Sequence, residues 1–346
     1  MKEIKPGELR SLLLEVAFKG GLPVMVWGAP GIGKSQIVRE TAAEFGLSML
    51  DLRLNYYEES DLLGIPVKTE LGMEFVKYSQ LPSSGKGVWF LDELTHARTS
   101  IQGLVFQLIQ DNAIESYSVP EGWRHFVAAS NLASHRSISN PMPSGLQSRF
   151  TGGHYLLVPD LDDWTSWATT HGVDSRLVSF INYMEKMDRK PWLFRMEGNE
   201  PILTPRNWSI GVNFAISSLK GKNQENAIMG MIGEENGIEL VQYLQASSDL
   251  PDLERILKGD VSWFKSAHDP SRYYLLISSL AREACSNPQN LDKILEIVLH
   301  LSDEYAAQAF SLIAKTVPRQ RMLDSRYLST NLGKFREILG GVDVTF

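Results

Sequence analysis

A glycine-rich segment, Gly28-Ala29-Pro30-Gly31-Ile32-Gly33-Lys34-Ser35, has the residue types and spacing of a phosphate-binding loop. It lies between an apolar run ending at Trp27 and a helical pattern beginning at Gln36. Glycines let backbone N–H groups converge on phosphates, and the positive end of the helix dipole favours an anion. We expect Lys34 to reach the β- and γ-phosphates and Ser35 to offer its hydroxyl to Mg²⁺. The segment from Gly28 to Gln36 therefore predicts a nucleotide site, with a ligand-free glycine turn as the alternative.

Two carboxylates follow a second apolar run. Asp92 and Glu93 come directly after Gly87–Leu91, which is typical of a buried strand. If the loop forms a nucleotide site, we expect Asp92 to hold Mg²⁺ through its water shell and Glu93 to orient and activate the attacking water. A solvated Asp-Glu pair is the alternative. A carboxylate that acts as a base is the feature that separates nucleotide hydrolysis from small-molecule kinases, which also possess a phosphate loop.

A third apolar run, Phe126–Ser130, ends in Asn131. An amide there could polarise the attacking water or touch the γ-phosphate, although an Asn at a strand end is also a common turn former. Because three strand ends are predicted to meet at one crevice, a functional Asn131 is favoured. The chain lacks the Asn-Lys-x-Asp element that proteins specific for guanine nucleotides normally carry. Its absence favours ATP as the nucleotide.

The elements that must position these residues alternate between apolar runs and helical patterns in the first 160 residues. This alternation predicts the α/β class, with a parallel sheet and helices on both faces. Beyond residue 160 the strand signals stop, and a 3.6-residue apolar period predicts an all-helical second half. The predicted strands are 23–27, 48–54, 87–91 and 124–130, and the predicted helices are 36–45, 100–110, 177–184, 208–219, 291–301 and 306–317.

Composition narrows the class of protein. A chain of 346 residues is too long for one ordinary core. Its formal charge of −7, from 41 acidic and 34 basic residues, argues against a dominant nucleic-acid surface. Cys285 is the only cysteine, so no intrachain disulfide or cysteine-based zinc site is possible. The apolar runs are too short for a membrane helix, so we expect a soluble, cytoplasmic protein.

Further along the chain lies the segment Pro143-Ser144-Gly145-Leu146-Gln147-Ser148-Arg149-Phe150. Its position after the loop, the Leu91-Asp92-Glu93 strand end and Asn131 resembles the motif order of an AAA+ ATPase of the MoxR-like branch. Asp61–Pro66, before a predicted hairpin, and Thr204–Trp208, which opens the helical region, add to the similarity. The resemblance covers about residues 10 to 220.

The resemblance implies a role for each motif residue. Lys34 and Ser35 would form Walker A, Asp92 and Glu93 Walker B, and Asn131 sensor 1. Two arginines are added on the same basis. Arg149 would be the arginine finger that acts on a neighbouring subunit's nucleotide, and Arg206 the sensor 2 residue that reports the γ-phosphate from the lid. Their alternatives are a helix-capping Arg149 and an Arg206 paired with a surface carboxylate. Arg136 is a weaker candidate for a second interface arginine, and a solvated loop charge is the favoured interpretation of it.

The resemblance also implies the domain organisation. Residues 1–160 would form the AAA+ core, with a hairpin insertion near 64–80, residues 161–230 a helical lid, and residues 231–346 a helical region of unknown role. A second hairpin is expected from Ile114–Val119 and the strand that ends at Asn131. Either hairpin could contact a partner or pack on its own domain.

The function expected from this resemblance is ATP hydrolysis in a homo-oligomer, expected to be a hexameric ring. The ring would remodel or activate a protein, with a von Willebrand factor A domain protein as the natural companion. Nucleic acid and membrane are not indicated as partners. The rival interpretation is a nucleotide-dependent switch or a nucleic-acid-directed ATPase that controls docking of a partner such as an endonuclease. The third interpretation is a small-molecule kinase.

Overall fold

The computed structural model describes residues 1–70, 72–76, 80–115, 117–132, 140–187, 191–198, 200–246, 253–260 and 270–340. The chain divides into two compact units. The first comprises Met1–Asp160 and Met196–Pro201, and the second comprises Leu161–Arg195 and Ile202–Phe346. Among the described residues, no helix is both long and apolar enough to cross a membrane. The assignment of a lid and of a separate C-terminal region stays a prediction.

The strands are short, and most of them fall in the first unit. They are β1 (Lys2–Ile4), β2 (Val24–Trp27), β3 (Ser48–Arg53), β4 (Ile65–Thr69), β5 (Gly72–Val76), β6 (Gly87–Asp92), β7 (Ala113–Ile114), β8 (Tyr117–Ser118), β9 (His125–Ser130), β10 (His154–Leu157), β11 (Arg195–Glu197) and β12 (Glu200–Leu203).

The α-helices are numbered along the chain. They are α1 (Pro6–Leu12), α2 (Lys34–Glu44), α3 (Glu59–Leu63), α4 (Thr99–Asp111), α5 (Ser144–Gln147), α6 (Leu161–Thr170), α7 (Ser175–Met187), α8 (Asn213–Ser218), α9 (Gly221–Ile232), α10 (Glu234–Ala246), α11 (Leu253–Leu257), α12 (Pro270–Ser286), α13 (Leu291–Val298), α14 (Asp303–Thr316), α15 (Arg319–Asp324) and α16 (Arg326–Ile338). Helical turns of other types include two π-helices, Leu13–Lys19 and Asn207–Val212, and a 3₁₀ helix, Leu94–His96.

The main sheet has six strands in the order β1-β10-β2-β9-β6-β3. Every neighbouring pair in it is parallel. Strand β9 lies between β2 and β6, with Trp27 opposite Ser130 and Leu91 opposite Ala128. The carboxyl ends of β2, β6 and β9 therefore lie side by side at one edge of the sheet, where ligands of open α/β folds bind.

Helices flank this sheet, as predicted. Trp89 and Leu91 of β6 share a core cluster with Ile101 and Leu108 of α4. Helix α2 contacts β3, β6 and β9 and buries side chains that are not part of that cluster. Because side chains alternate along a strand, β6 can pack against helices on both of its faces. Residues Gly87 to Leu91 are all buried, which explains their continuous apolar character.

The structure adds two strands that the sequence pattern did not reveal. β1 and β10 pair with each other, and β10 also pairs with β2. Only Ile4 of β1 and Leu157 of β10 are buried. Such short segments carry no readable alternation, and their partners are distant in the sequence. They become strands because the edge of β2 offers backbone groups that must be paired.

The second hairpin was predicted incorrectly. Strand β9 does not fold back on the segment ending at Val119, because both of its edges are occupied by the parallel neighbours β2 and β6. Instead, β7 and β8 form a smaller antiparallel pair, and Glu121–Trp123 is a 3₁₀ turn. Ser116, inside the predicted hairpin, lies outside the described residues.

The first hairpin is present as the antiparallel pair β4–β5, with Ile65 opposite Val76 and Thr69 opposite Gly72. Leu71, Lys77 and Tyr78, which belonged to the predicted hairpin, lie outside the described part of the chain. The short strands β11 and β12 pair within the stretch expected to be helical, and residues Met196–Pro201 group with the first unit. The other secondary-structure elements in the described residues beyond 160 are helices.

Helices of the second unit build two apolar clusters among its described residues. One combines residues of α6 and α7 with Trp192, Trp208 and Leu240. The other combines residues of α12, α13, α14 and α16, including the stacked pair Phe310 and Phe335. The predicted helical segments fall in this core because their 3.6-residue apolar stripes need a partner surface.

Candidate nucleotide-binding site

The loop between β2 and α2 has the backbone that its glycines allow. Gly31 and Gly33 have φ of 79° and 101°, in the left-handed region that favours glycine. A Cβ on Gly28 would lie 3.1 Å from Leu157 O, so this position also has little room. Gly28 N–H donates to Ser130 O at 3.2 Å, which joins the loop to the end of β9. Helix α2 begins at Lys34, immediately after the loop.

Lys34 is buried within its own loop. Its Nζ donates to Gly28 O at 2.8 Å, to Ala29 O at 3.1 Å and to Asn131 Oδ1 at 3.0 Å. The side chain is only 8% exposed, so these contacts replace hydration that burial removed. The ammonium group therefore lies where phosphate oxygens bound by the loop could replace the backbone carbonyls.

Asp92 and Glu93 lie at the end of β6. Glu93 N–H donates to Asp92 Oδ1 at 3.0 Å. Burial raises the pKa of Asp92 above its ordinary value, and repulsion by Glu93 adds to the rise, whereas Lys34 and the Glu93 N–H oppose it. A nearby divalent cation would favour the charged form of this carboxyl. The charge of Lys34 therefore does not fully offset the burial of Asp92 and its repulsion by Glu93.

The carboxylate of Glu93 has a polar group on each side. Asn131 Nδ2 lies 3.5 Å from Oε1 and 3.4 Å from Oε2. On the other side, His96 Nδ1 lies 2.5 Å from Oε2, although this contact is not aligned as a hydrogen bond. The backbone of Glu93 has φ 56°, an uncommon conformation for a residue other than glycine. Backbone strain of this kind concentrates at functional sites.

A buried hydroxyl pair holds the turn after Glu93 against β9. Thr95 Oγ1 and Ser130 Oγ are hydrogen-bonded, and Thr95 N–H also donates to Ser130 Oγ at 3.3 Å. On the far side of the turn, Asn140 N–H donates to Thr95 O at 2.7 Å. The turn after β6 is therefore hydrogen-bonded to the last residue of β9, next to Asn131 in the sequence.

The residues present fit a magnesium ion that is held together with a nucleotide. Among the described residues, no three His, Cys, Asp or Glu side chains are grouped to hold a metal by themselves. Mg²⁺ keeps several waters and is usually bound by one or two protein oxygens plus phosphates. Asp92 and the half-buried Ser35, next to Lys34, offer that number of oxygens. Gln36, by contrast, is exposed and donates to Glu40 at 2.6 Å.

Arg149 lies outside this cluster of side chains. Its Nε and Nη2 donate to Gln110 Oε1 at 2.9 and 2.6 Å, and its guanidinium lies 5.0 Å from the ring centre of Phe106. Among the described residues, its side chain has no hydrogen bond to Lys34, to Glu93 or to the carbonyls at the end of a helix. The side chain is held at the surface of the first unit, with part of it exposed.

Arg206 belongs to the second unit and is exposed at the start of the π-helix Asn207–Val212. Within the described ranges, its side chain makes no ion pair or hydrogen bond, so the alternative of a paired surface residue is not what the structure contains. Thr204 and Asn207, which are hydrogen-bonded to each other, fix the turn around it. Arg136 lies outside the described residues.

Sequence reasoning assigned no role to two residues at the site. His96 was given no role from the sequence, yet it contacts Glu93. Asp51 of β3 is close enough to Asp92 to raise the pKa of that carboxyl further, and its own Oδ1 is buried without a hydrogen bond. The sequence shows only that His96 follows Glu93 by three residues. This spacing gives a contact between the two side chains only where the backbone forms a tight turn.

The motif order and the sheet order together define the class of protein. Residues 23–150 match the family model described as the AAA domain of the dynein-related subfamily. The resemblance to AAA+ proteins is therefore confirmed for this part of the chain, which is similar to that domain. No curated protein sequence matches the chain.

Solved structures with a similar fold include three bacterial proteins. A candidate ATPase from Cytophaga hutchinsonii is 12% identical, with 98% of this chain and 89% of that chain covered and a TM-score of 0.33. The RuvB Holliday junction branch migration motor of Thermotoga maritima is 16% identical, with 88% and 86% covered and a TM-score of 0.37. NtrX of Brucella abortus in complex with ATP is 13% identical, with 88% and 67% covered and a TM-score of 0.39.

Proposed function

We propose that this protein is a Mg²⁺-dependent ATPase of the MoxR-like branch of AAA+ proteins, converting ATP and water to ADP and phosphate. One observation carries the proposal. A buried lysine, two carboxylates and an amide meet at the ends of three adjacent parallel strands, beside a loop built to approach phosphates closely. A small-molecule kinase would not need the carboxylate Glu93 in that place.

Each of the proposed site residues has a distinct task. Lys34 would exchange its contacts with Gly28 O and Ala29 O for oxygens of the β- and γ-phosphates. Asn131, which already touches both Lys34 and Glu93, would sense the γ-phosphate and the attacking water together. Glu93 would accept hydrogen bonding from that water and draw its proton as the phosphorus–oxygen bond forms.

The metal adds charge that the chain cannot supply. When bound, Mg²⁺ neutralises charge on the phosphate oxygens and so favours transfer of the γ-phosphoryl group. Ser35 and Asp92 are the residues proposed to hold it. The raised pKa of Asp92 supports this role, because a cation would relieve the repulsion between the two neighbouring carboxylates.

We propose a homo-oligomer, expected to be a hexameric ring, on the basis of Arg149. A guanidinium that is held at the surface by Gln110 and Phe106 is available to a nucleotide on a neighbouring subunit. An arginine supplied in this way stabilises charge in the transition state and makes hydrolysis depend on subunit contact. Arg206 would report the γ-phosphate from the helical lid.

The proposed output is remodelling or activation of a protein partner, with a von Willebrand factor A domain protein as the first candidate. The β4–β5 hairpin supports contact with a protein, because Ile65, Met73 and Val76 are 65%, 65% and 58% exposed on it. Exposed apolar groups of this kind favour protein contact. The net charge of −7 disfavours a nucleic-acid client, and cytoplasmic location stays an expectation from the sequence.

The activity is tested by product analysis with purified protein, Mg²⁺ and ATP. Equal amounts of ADP and free phosphate are expected, and chelation of Mg²⁺ should stop their release. Glu93→Gln should retain ATP binding and lose about 10² to 10⁴-fold in turnover, the usual contribution of a general base. A phosphorylated acceptor in place of free phosphate, or full turnover by the Glu93→Gln variant, would contradict the assignment.

The assembly is tested by the solution mass of the Glu93→Gln variant with and without Mg·ATP. A ring that forms only with nucleotide is expected, since trapped ATP would keep Arg149 engaged. A monomer in both conditions would leave Arg149 without a neighbour to act on and would favour a nucleotide-dependent switch.

A further inference from the structure

His96 is a feature of the site that the motif order does not explain. It ends the 3₁₀ helix Leu94–His96, which follows Glu93 directly. His96 Nδ1 lies 2.5 Å from Glu93 Oε2, and both side chains are mostly buried, with 16% and 29% exposed. Among the described residues, the buried Nδ1 atom has no aligned hydrogen bond. Its nearest polar neighbour is therefore the carboxylate assigned as the base.

Whether this contact is favourable depends on the protonation of His96 Nδ1. A deprotonated Nδ1 carries a lone pair, and a lone pair that faces a carboxylate oxygen at this distance would be repelled. A proton on Nδ1 that points toward Oε2 would make the contact favourable. A small rotation of the carboxylate would then give a charge-assisted hydrogen bond.

The backbone around His96 is fixed on both sides. His96 N–H donates to Glu93 O at 2.9 Å, which closes the turn. The next carbonyl, Ala97 O, accepts from Asn140 Nδ2 at 2.8 Å and from Gln102 Nε2 at 3.3 Å. Thr95, on the other side, is hydrogen-bonded to Ser130. The imidazole is thus carried by a turn that has little freedom to move.

Asn131 holds Glu93 only through long hydrogen bonds. Its amide oxygen already accepts from Lys34, and its amide nitrogen is 3.4 Å or more from either carboxylate oxygen. In the proposed reaction the same amide has to meet the γ-phosphate. A second group is needed to keep Glu93 in place while Asn131 changes its contacts.

We infer that His96 is a positioning residue, which holds the Glu93 carboxylate toward the attacking water through its Nδ1–H. This inference rests on the proposed ATPase activity. Because a general base is effective only when its oxygen is aligned with the water, loss of His96 should lower the rate of the chemical step and leave nucleotide binding unchanged.

The test compares steady-state hydrolysis by the full-length wild type, His96→Leu and His96→Asn. The Leu variant keeps the side-chain bulk without a donor and should lower kcat about 10- to 100-fold, with KM and ATP affinity within about threefold. The Asn variant places an amide nitrogen near the position of Nδ1 and should recover most of the loss. His125→Leu is the matched control, since His125 begins β9 and contacts Ala17 O instead of the site.

The same substitution in the Glu93→Gln background separates positioning from folding. If His96 acts through the carboxylate, His96→Leu should not lower the residual single-turnover rate of Glu93→Gln any further. An equal loss in both backgrounds, a change confined to KM, or wild-type kcat in His96→Leu would each overturn the inference.

A measurement that needs no activity keeps the inference separate from the proposed function. The nitrogen NMR spectrum of histidine-labelled protein should show His96 protonated on Nδ1, and Glu93→Ala should shift that signal. A ring protonated on Nε2 alone would overturn the inference even in an active ATPase. Absence of ATP hydrolysis by the wild type, with ATP still bound, would instead remove the proposed function and this role together.

Discussion

The side chains at the strand ends and the two arginines lie in contrasting surroundings. Lys34 and Asn131 are each 8% exposed and are hydrogen-bonded to each other. Arg206 is exposed, and Arg149 is held at the surface by Gln110 and Phe106. The first group is assembled by the fold of one unit. Neither arginine is paired with a carboxylate among the described residues.

This difference follows from the energetics of charge. A buried ammonium must be surrounded by oxygens, so the position of Lys34 is determined by its own domain. An exposed guanidinium keeps its hydration and gains little from surface contacts. It can therefore turn to a phosphate at small cost. Substitutions at the buried residues should act within one chain, whereas those at Arg149 should act between chains.

The largest effect is expected from Lys34→Ala. Removing the ammonium takes away the charge that faces the phosphates, so measurable ATP binding and turnover should both be lost. Calorimetric titration with ATP measures the binding. Lys19→Ala, which removes an exposed lysine paired with Glu15, should bind ATP normally. Unchanged ATP affinity in Lys34→Ala would remove the phosphate-loop assignment.

Arg149→Ala should come next, with a loss of about 10³-fold in turnover, as for other arginines supplied in trans. ATP affinity should change little, because the residue lies outside its own subunit's cluster. Mixing it with the Glu93→Gln variant should restore part of the activity, since each subunit then contributes the group the other lacks. Arg10→Ala, an exposed arginine paired with Glu44, is the control. Without rescue on mixing, action between subunits would lose its support.

A smaller effect is expected from pH, through Asp92. Burial, with repulsion from Glu93, raises the pKa of Asp92, so its proton is retained at higher pH than in an exposed aspartate. Because Mg²⁺ needs the carboxylate, Mg²⁺ affinity should fall as pH decreases, by up to about tenfold per unit below that pKa. Titration of Mg²⁺ into the ATP-bound protein at several pH values measures this. An equal pH dependence in Asp92→Asn would assign the titration to another group.

The smallest effect is expected from Gln110→Ala. It removes two surface hydrogen bonds to Arg149, so the free energy of unfolding should fall by less than about 1 kcal/mol. Turnover should stay within about twofold of the wild type, since Phe106 still supports the guanidinium. Denaturant unfolding measures the free energy of unfolding, and steady-state kinetics measure the turnover. Gln320→Ala is the exposed control. A tenfold loss of turnover would mean that Gln110 orients Arg149, so that this arginine too is positioned by its own subunit.

Much of the fold could be predicted from short-range patterns. Four of the six sheet strands were evident because a strand buried on both faces is continuously apolar, as Val88–Leu91 shows. β1 and β10 were missed because their pairing is long-range. The hairpin error had the same cause, since the pairing of β9 is decided by β2 and β6 and not by the neighbouring turn.

The candidate site was also predictable in part. The loop glycines, Lys34, Asp92 and Glu93 have spacings that local backbone geometry imposes, so one sequence is enough to find them. The contact of His96 with Glu93 was not predictable. It depends on a left-handed backbone at Glu93 and on the hydroxyl pair Thr95–Ser130, and neither has a signature in the sequence.

By itself, the sequence determined which groups could do chemistry and on which elements they lie, because glycine turns, apolar strands and helix starts are set by local sterics and burial. Only the tertiary structure decided which of those groups touch. The carboxyl ends of β2, β6 and β9 became neighbours through strand order, which long-range pairing selects. That order placed Asn131 between Lys34 and Glu93 and left Arg149 at the surface, since a buried charge needs partners and an exposed one does not.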